Sequence, residues 1–162
     1  MSDGTQSMGS DEAQSSRGEQ RVVSASRLIA ADAATVFEQI ADPAKQPAWD
    51  GNGNLGEAAA DQRVRGVGAV FSMTLNSGVV RENHVVEFEE GRRIAWKPAE
   101  PGGAPIGHLW RWELEPEGEG TRVTHTYDWT ELHDEQRLPR ARKTLEPNLL
   151  ASIDRLKVLL EG

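Results

Sequence analysis

The stretch from residue 107 to residue 130, GHLWRWELEPEGEGTRVTHTYDWT, contains two runs in which apolar or aromatic side chains alternate with polar ones. The residues between the runs, Glu117-Gly118-Glu119-Gly120, are typical of a tight turn. Strict alternation predicts β-strands with one buried face and one solvated face. The stretch therefore predicts an antiparallel hairpin. Its inward face carries His108, Trp110, Trp112 and Leu114 from one strand and Val123, His125, Tyr127 and Trp129 from the other.

Five more strands are predicted before this hairpin, each bounded by turn residues. Alternation places Phe71 and Met73 on the inward face of the strand that follows Gly66. Whether segment 53–64 is a strand or a helix is left open, because its GEAAADQ sequence suits a helix equally well. The five segments cover residues 21–29, 53–64, 67–75, 79–89 and 93–97.

The inward face of segment 79–89 has two possible assignments. The preferred alternation turns Glu82 and His84 inward, where a carboxylate two residues away could hold the tautomer of the imidazole. The inverted register turns Arg81 and Asn83 inward instead. A shift of one residue exchanges the two faces, so both registers stay open.

Helical periodicity appears near the start of the chain and at its end. Asp32 is positioned to cap a helix that runs to about Ala41, and residues 43–49 allow at most one further helical turn, because Pro47 interrupts any longer one. An amphipathic stripe near the C-terminus predicts the main helix over residues 147–160. A shorter helical piece is expected over residues 134–144. The stripe consists of Leu145, Leu149, Ile153, Leu156 and Leu160.

Composition excludes several function classes. The 162 residues suffice for about one domain, and 26 acidic against 18 basic side chains disfavour binding to nucleic acid or anionic lipid. The absence of cysteine excludes disulfides, thiolate nucleophiles and zinc ribbons. No apolar run approaches the roughly 20 residues that a membrane span needs.

Residues 1–20 differ in composition from the rest of the chain. They are rich in Ser, Gly, Gln and acidic residues and carry too few apolar side chains to order by burial. We expect a disordered tail here, followed by a single domain over residues 21–162. Because the tail also has no signal-peptide pattern, we expect a cytoplasmic location.

Short motifs along residues 21–162 carry a family resemblance. They are Ile29-Ala30-Ala31-Asp32 before Val36-Phe37, the DPAKQPAW stretch from Asp42 to Trp49, Arg92-Arg93-Ile94-Ala95-Trp96, Gly120-Thr121-Arg122-Val123-Thr124, and the closing helix from Leu156 to Glu161. In their order they resemble the START/Bet v 1-like (SRPBCC) superfamily, and within it the bacterial polyketide cyclase/dehydrase-like group. One departure is Asp32, where that family often has Pro. This departure matters little, because Asp can cap a helix as well as Pro can begin one.

The resemblance implies an α+β helix-grip fold. In this fold a curved antiparallel sheet wraps around a long C-terminal helix, and two short helices follow the first strand. A cavity between sheet and helix takes a small apolar ligand. Members include carriers, polyketide cyclases and chaperone-associated modules, so three hypotheses follow: a carrier or sensor of a lipid or polyketide-like ligand, a cyclase or dehydrase, or a protein-interaction module. Neither a metal nor a cofactor is implied.

The inward strand faces supply the candidate site residues. Large aromatic side chains on them would shape a pocket, and imidazole or phenol groups there could move protons. The competing interpretation is that they only fill the core or bond to neighbours. For a catalytic role the candidates are His84, His125, Tyr127 and Glu82. The predicted pocket lining is Trp49, Phe71, Met73, His84, Trp96, Trp110, Trp112, His125, Tyr127 and Ile153.

Two further features are less specific. His108 begins its strand beside a Pro/Gly-rich loop, at the cavity mouth or in solvent. Four basic residues between Arg137 and Lys143 are typical of a solvated helix face, although an acidic partner could use them. The ligand and the oligomeric state are not determined by these patterns.

Overall fold

The computed structural model describes residues 19–162 and contains seven strands and four α-helices. The predicted tail, residues 1–20, lies outside the described residues except for its last two. Glu19 forms ion pairs with Arg21 and Arg142. The elements in chain order are β1 (Val22–Ile29), α1 (Ala33–Ala41), a 3-10 turn (Pro43–Lys45), α2 (Gln46–Trp49), β2 (Leu55–Glu57), β3 (Val70–Leu75), β4 (Val80–Glu89), β5 (Arg93–Ala99), β6 (Leu109–Glu117), β7 (Gly120–Asp128), α3 (Leu138–Arg142) and α4 (Glu146–Glu161).

All seven strands form one antiparallel sheet in the order β1-β7-β6-β5-β4-β3-β2. The first strand closes the meander by pairing with the last, so that Val23 lies opposite Tyr127 and Ala25 opposite His125. Helix α4 packs against β1 and β7. The predicted helix-grip α+β fold is confirmed.

Helices α1 and α4 begin where the sequence predicts, whereas α3 covers only Leu138–Arg142 of the helical piece expected over residues 134–144. Asp32 accepts a hydrogen bond from the backbone N–H of Thr35 at 2.8 Å and caps α1. At the start of α4, the backbone N–H of Leu145 donates to Oδ1 of Asn148 at 2.9 Å. Pro147 lies in the first turn of α4, where a missing N–H costs little. The buried side of α4 consists of Leu149, Ser152, Ile153 and Leu156.

The preferred register for segment 79–89 was wrong over its first half. Asn83 and Val85 are the buried residues of β4, so the inverted alternation holds there. An irregularity between Val85 and Glu87 then breaks the period of two, and Phe88 returns inward to pack on Phe37 with ring centroids 5.7 Å apart. The bulge explains why one uninterrupted alternation could not describe the strand.

Glu82 and His84 therefore lie on the opposite face from the one expected. The carboxylate of Glu82 accepts a hydrogen bond from the backbone N–H of Gly102 at 2.9 Å, in the loop after β5. His84 lies between Val70 and Lys97 of the neighbouring strands. Neither side chain lies between the sheet and α4.

No helix between residues 19 and 162 has the length and apolar character needed to cross a membrane.

The loop after α2 is held against the C-terminal helix by a close backbone approach. The N–H of Gly51 donates to the Ser152 hydroxyl at 3.0 Å. A Cβ added at Gly51 would lie 2.4 Å from the carbonyl carbon of Ala151. The preceding Asp50 carboxylate accepts from the backbone N–H groups of Asn52, Asn54 and Leu55, which shapes the loop.

Replacing Gly51 with Ala is expected to destabilise the fold by about 1–3 kcal/mol, because the new methyl group must push α4 away from the loop. Gly66→Ala is the matched control, since its Cβ would meet no atom within 4 Å. The measurement is urea unfolding followed by circular dichroism. Equal stability of the two variants would contradict the close packing of loop and helix.

Candidate ligand-binding site

A cavity of about 630 Å³ lies between the sheet and α4. This volume is within the range of small-molecule sites, roughly 300–1,000 Å³. Its wall combines residues of α2, of strands β3 to β7 and of the two C-terminal helices. The lining residues include Trp49, Asp50, Met73, Arg81, Asn83, Trp96, His108, Trp110, Trp112, His125, Tyr127, Leu132, Arg137, Arg140, Ala141, Lys143 and Leu149.

Aromatic rings form the deepest part of this wall. Trp112 lies flat on the His125 ring, with centroids 3.7 Å apart and an interplanar angle of 12°. Its other neighbour, Trp49, meets it edge to face at 5.1 Å. Trp110 packs on Tyr127 with centroids 4.4 Å apart. Because the rings brace one another, they present a rigid apolar surface at small entropic cost.

The indole of Trp49 is fixed from outside the cavity. Its Nε1 donates to the carbonyl oxygen of Gln39 in α1 at 2.7 Å. Gln46, one turn earlier, donates to the carbonyl oxygen of Ile40 at 2.9 Å. The short helix α2 is thus tied to the end of α1, and this connection sets the direction of the Trp49 ring.

The structure places seven of the ten predicted lining residues in the cavity wall. The other three lie elsewhere. Phe71 and Ile153 are fully buried in the hydrophobic core, and the Phe71 ring meets Trp96 edge to face at 5.2 Å. His84 is on the opposite face of β4. The seven are Trp49, Met73, Trp96, Trp110, Trp112, His125 and Tyr127.

Of the four catalytic candidates, only His125 and Tyr127 come together at the cavity. His125 is buried, and within residues 19–162 its Nδ1 has no hydrogen-bond partner. Burial lowers the pKa of His125 to about 3, with a small opposing effect of the Leu149 backbone. Burial raises the pKa of Tyr127 to about 12. Both groups are therefore neutral at physiological pH.

His108 lies beside Tyr127 at the cavity wall, with ring centroids 5.9 Å apart. Burial, together with the positive charges of Arg137, Arg81 and Arg140, lowers the pKa of His108 to about 4. Its Nδ1 is buried and has no partner among the described residues. This imidazole is a neutral donor and acceptor close to three guanidinium groups.

The basic side chains of the wall were not predicted as site residues. Arg137, Arg140 and Lys143 come from the run that was interpreted as a solvated helix face, and Arg81 from the register that was not preferred. The spacing of three residues between Arg137, Arg140 and Lys143 could have indicated a shared face, since it keeps them on one side of a helical turn. That spacing could not predict which residues lie across the cavity from this face.

Among residues 19–162, Asp50 is the one acidic residue of the wall, and its carboxylate is already engaged by three backbone N–H groups of its own loop. In the part of the chain that the structure describes, no group of three or more His, Asp or Glu side chains is arranged to hold a metal ion. Beside Asp50, the polar side chains of the cavity wall carry guanidinium, ammonium, imidazole, phenol, amide and hydroxyl groups.

Several solved structures have the same fold as this chain. A protein of Nitrosomonas europaea, NE0264, superposes with a TM-score of 0.66 at 18% identity, covering 86% of this chain and 94% of its own. MLL2253 of Mesorhizobium loti gives a TM-score of 0.64 at 18% identity, covering 87% and 97%. At these identities the similarity shows the fold alone.

A relative by sequence is the uncharacterized protein Rv0088 of Mycobacterium tuberculosis (strain ATCC 25618 / H37Rv). It is 33% identical over 111 residues, which make up 66% of this chain and 47% of the relative. The chain thus spans about half the length of that protein. The family model described as "Polyketide cyclase / dehydrase and lipid transport" matches residues 20–161. Since this match covers almost the whole chain, the protein belongs to the polyketide cyclase/dehydrase and lipid transport family.

Proposed function

We propose that the protein is a carrier or sensor that binds a small hydrophobic ligand, lipid-like or polyketide-like, in the cavity between the sheet and α4. The observation that carries the proposal is the 630 Å³ cavity bounded by four indole rings. An interior this large would be filled by side chains if the domain served only as a scaffold, because protein cores are close-packed. Transfer of an apolar ligand from water onto these rings is favourable by roughly 25 cal/mol per Å² buried.

The alternative function is a cyclase or dehydrase in which His125 or Tyr127 moves protons. A general acid or base works best with a pKa near the working pH. Burial moves the pKa of His125 down to about 3 and that of Tyr127 up to about 12. Within residues 19–162, no carboxylate is hydrogen-bonded to either group. These features favour binding over proton transfer.

The interaction-module hypothesis is supported less well than the carrier. It requires no internal cavity, whereas the cavity here is continuous from the Trp112 ring to the basic side chains of α3. Its size alone makes the small-molecule hypothesis the better one. The cytoplasmic location stays a prediction.

Binding of a neutral apolar probe tests the proposal. N-phenyl-1-naphthylamine should bind the wild-type protein with enhanced emission and with energy transfer from the indoles of the wall. Trp110→Ala should weaken this binding about tenfold, because the probe loses about 1.4 kcal/mol of apolar contact.

Phe88→Ala is the matched control for this experiment. Phe88 is also a half-buried aromatic residue of the inner sheet face, but it packs on Phe37 and does not line the cavity. This variant should lose stability and keep the wild-type affinity within about twofold. A wild-type protein that binds no neutral apolar probe would contradict the carrier proposal.

The neutrality of His125 gives a prediction about stability and pH. An unfolded histidine has a pKa near 6.5, and burial lowers the pKa of His125 in the folded chain to about 3. Between these values the unfolded state binds more protons, so the free energy of unfolding falls as the pH falls below about 6.5. His125 contributes up to about 1.4 kcal/mol per pH unit to this slope.

Urea unfolding at several pH values between 7 and about 4.5 measures this slope. His125→Phe keeps a ring against Trp112 and should make the slope shallower by about 1 kcal/mol per pH unit. The control is His133→Gln, which removes an exposed imidazole. If His125→Phe and wild type lose stability equally on acidification, His125 is not held neutral by burial.

A further inference from the structure

The charge of the cavity wall is opposite to the charge of the whole chain. The sequence has 18 basic and 26 acidic side chains, a net charge of −8. In the part of the chain that the structure describes, the cavity wall contains four Arg or Lys residues and one acidic residue. That one, Asp50, is turned to its own loop by three backbone hydrogen bonds. The basic residues are Arg81 on β4, Arg140 in α3, and Arg137 and Lys143 at the two ends of α3.

Most of these positive charges have no counterion in the described part of the chain. Arg137 pairs with Glu100 at 2.8 Å and with Asp134 at 3.1 Å. By contrast, no carboxylate between residues 19 and 162 lies within ion-pair distance of Arg81, Arg140 or Lys143. Arg140 and Lys143 are exposed and Arg81 is half-buried, so water solvates these charges and all three are free to form charge-assisted hydrogen bonds with an anionic ligand in the cavity.

The structure divides the basic run of the sequence into two sides. Arg137, Arg140 and Lys143 line the cavity. Arg142 does not line it and pairs with Glu19 instead. Arg140 and Lys143 are at the same time solvent-exposed, so this face of α3 is solvated and borders the cavity. Here the side turned to the apolar wall carries three of the four positive charges.

The guanidinium groups on the two sides of the cavity are close enough to affect each other. Burial lowers the pKa of Arg81, and the charges of Arg137 and Arg140 lower it further, with Glu100 opposing them in part. Arg140 also lowers the pKa of Tyr127, although burial outweighs this effect. Arg81, Arg140, His108 and Tyr127 all line the same cavity, in which the rings of His108 and Tyr127 lie with centroids 5.9 Å apart.

Neutral donors also line this cavity. The Tyr127 hydroxyl stays protonated because burial raises its pKa to about 12. His108 stays neutral and has a buried Nδ1 without a partner among the described residues. Two guanidinium groups, a phenol and an imidazole can together donate to several oxygens of one anionic group.

We infer that the ligand is an anionic amphiphile: an apolar body on the tryptophan wall and one carboxylate or phosphate group held by Arg81 and Arg140, with Lys143 nearby. This inference rests on the proposed function and adds the charge of the ligand to it. Guanidinium groups match the planar oxygens of a carboxylate and those of a phosphate equally well, so the shared feature is a single terminal anion.

Three ligands of equal chain length test the inference: dodecanoate, dodecyl phosphate and the neutral dodecanamide. Binding is followed by tryptophan fluorescence below micellar concentrations, with the full chain. Wild type should bind at least one of the two anions about tenfold or more tightly than the amide, as expected for charge-assisted hydrogen bonds. Raising the salt concentration should weaken binding of that anion and leave binding of the amide unchanged.

The double variant Arg81→Gln/Arg140→Gln should reduce the preference for the anion to about twofold or less and keep the affinity for the amide. The matched control, Arg92→Gln/Arg93→Gln, removes two exposed positive charges that pair with Glu115 and Glu113 away from the cavity. It should retain the wild-type preference. If the Arg81/Arg140 variant does not fold, the wild-type comparison of anions with amide and its salt dependence decide the question.

The outcomes separate this inference from the proposed function. Preference for dodecanoate assigns a carboxylate, and preference for dodecyl phosphate assigns a phosphate. Equal binding of amide and anions by wild type overturns the inference and leaves the carrier proposal standing. An Arg81/Arg140 variant that loses amide and anion to the same extent also overturns it. Failure of all three ligands and of the neutral probe overturns both proposals.

Discussion

The structure depends on how the apolar side of α4 packs along the inner face of the sheet. Ile153 and Leu156 are fully buried in the core cluster that also contains Ala25 and Ile29 of β1. One turn before Ile153, Leu149 is equally buried but lines the cavity. The helix is thus in close contact with the sheet at its C-terminal half and separated from it at its N-terminal half. A single amphipathic stripe serves both as core and as cavity wall.

Rigid rings line the part of the interior where helix and sheet separate. Trp112, stacked on His125, lies at its centre, and Trp49 approaches it from the short helix α2. The backbone of that helix continues into a loop that is shaped by hydrogen bonds to Asp50. In this loop Gly51 packs closely against the backbone of α4. Packing of this loop, the orientation of Trp49 and the volume of the cavity are therefore connected. The buried imidazoles remain neutral, which suits a wall that holds an apolar body without exchanging protons with it.

The basic side chains near α3 give the cavity a second chemical character. An acidic protein repels anions at long range. A local excess of positive charge inside a cleft therefore favours anions that also have an apolar part, because apolar contacts in the cavity offset this repulsion. Arg81 comes from the sheet and Arg140 from α3, and both line the same cavity as Tyr127. One ligand that spans both environments would satisfy the apolar rings and the unpaired guanidinium groups together.

Local pattern was enough to predict the order of the elements, the hairpin from residue 107 to 130, and the inward position of Trp110, Trp112, His125 and Tyr127. Alternation and turn residues act over a few residues, so they are present in the sequence itself. The inward residues of β4 were decided by a bulge against β5, which depends on pairing between strands. Whether Phe71 or Met73 lines the cavity, and whether Arg81 and Arg140 line the same cavity, depends on distances across the closed fold. The sequence by itself determined the elements and their apolar faces, while the tertiary structure decided where those faces separate and which charges line the cavity there, because both depend on contacts between residues distant in the chain.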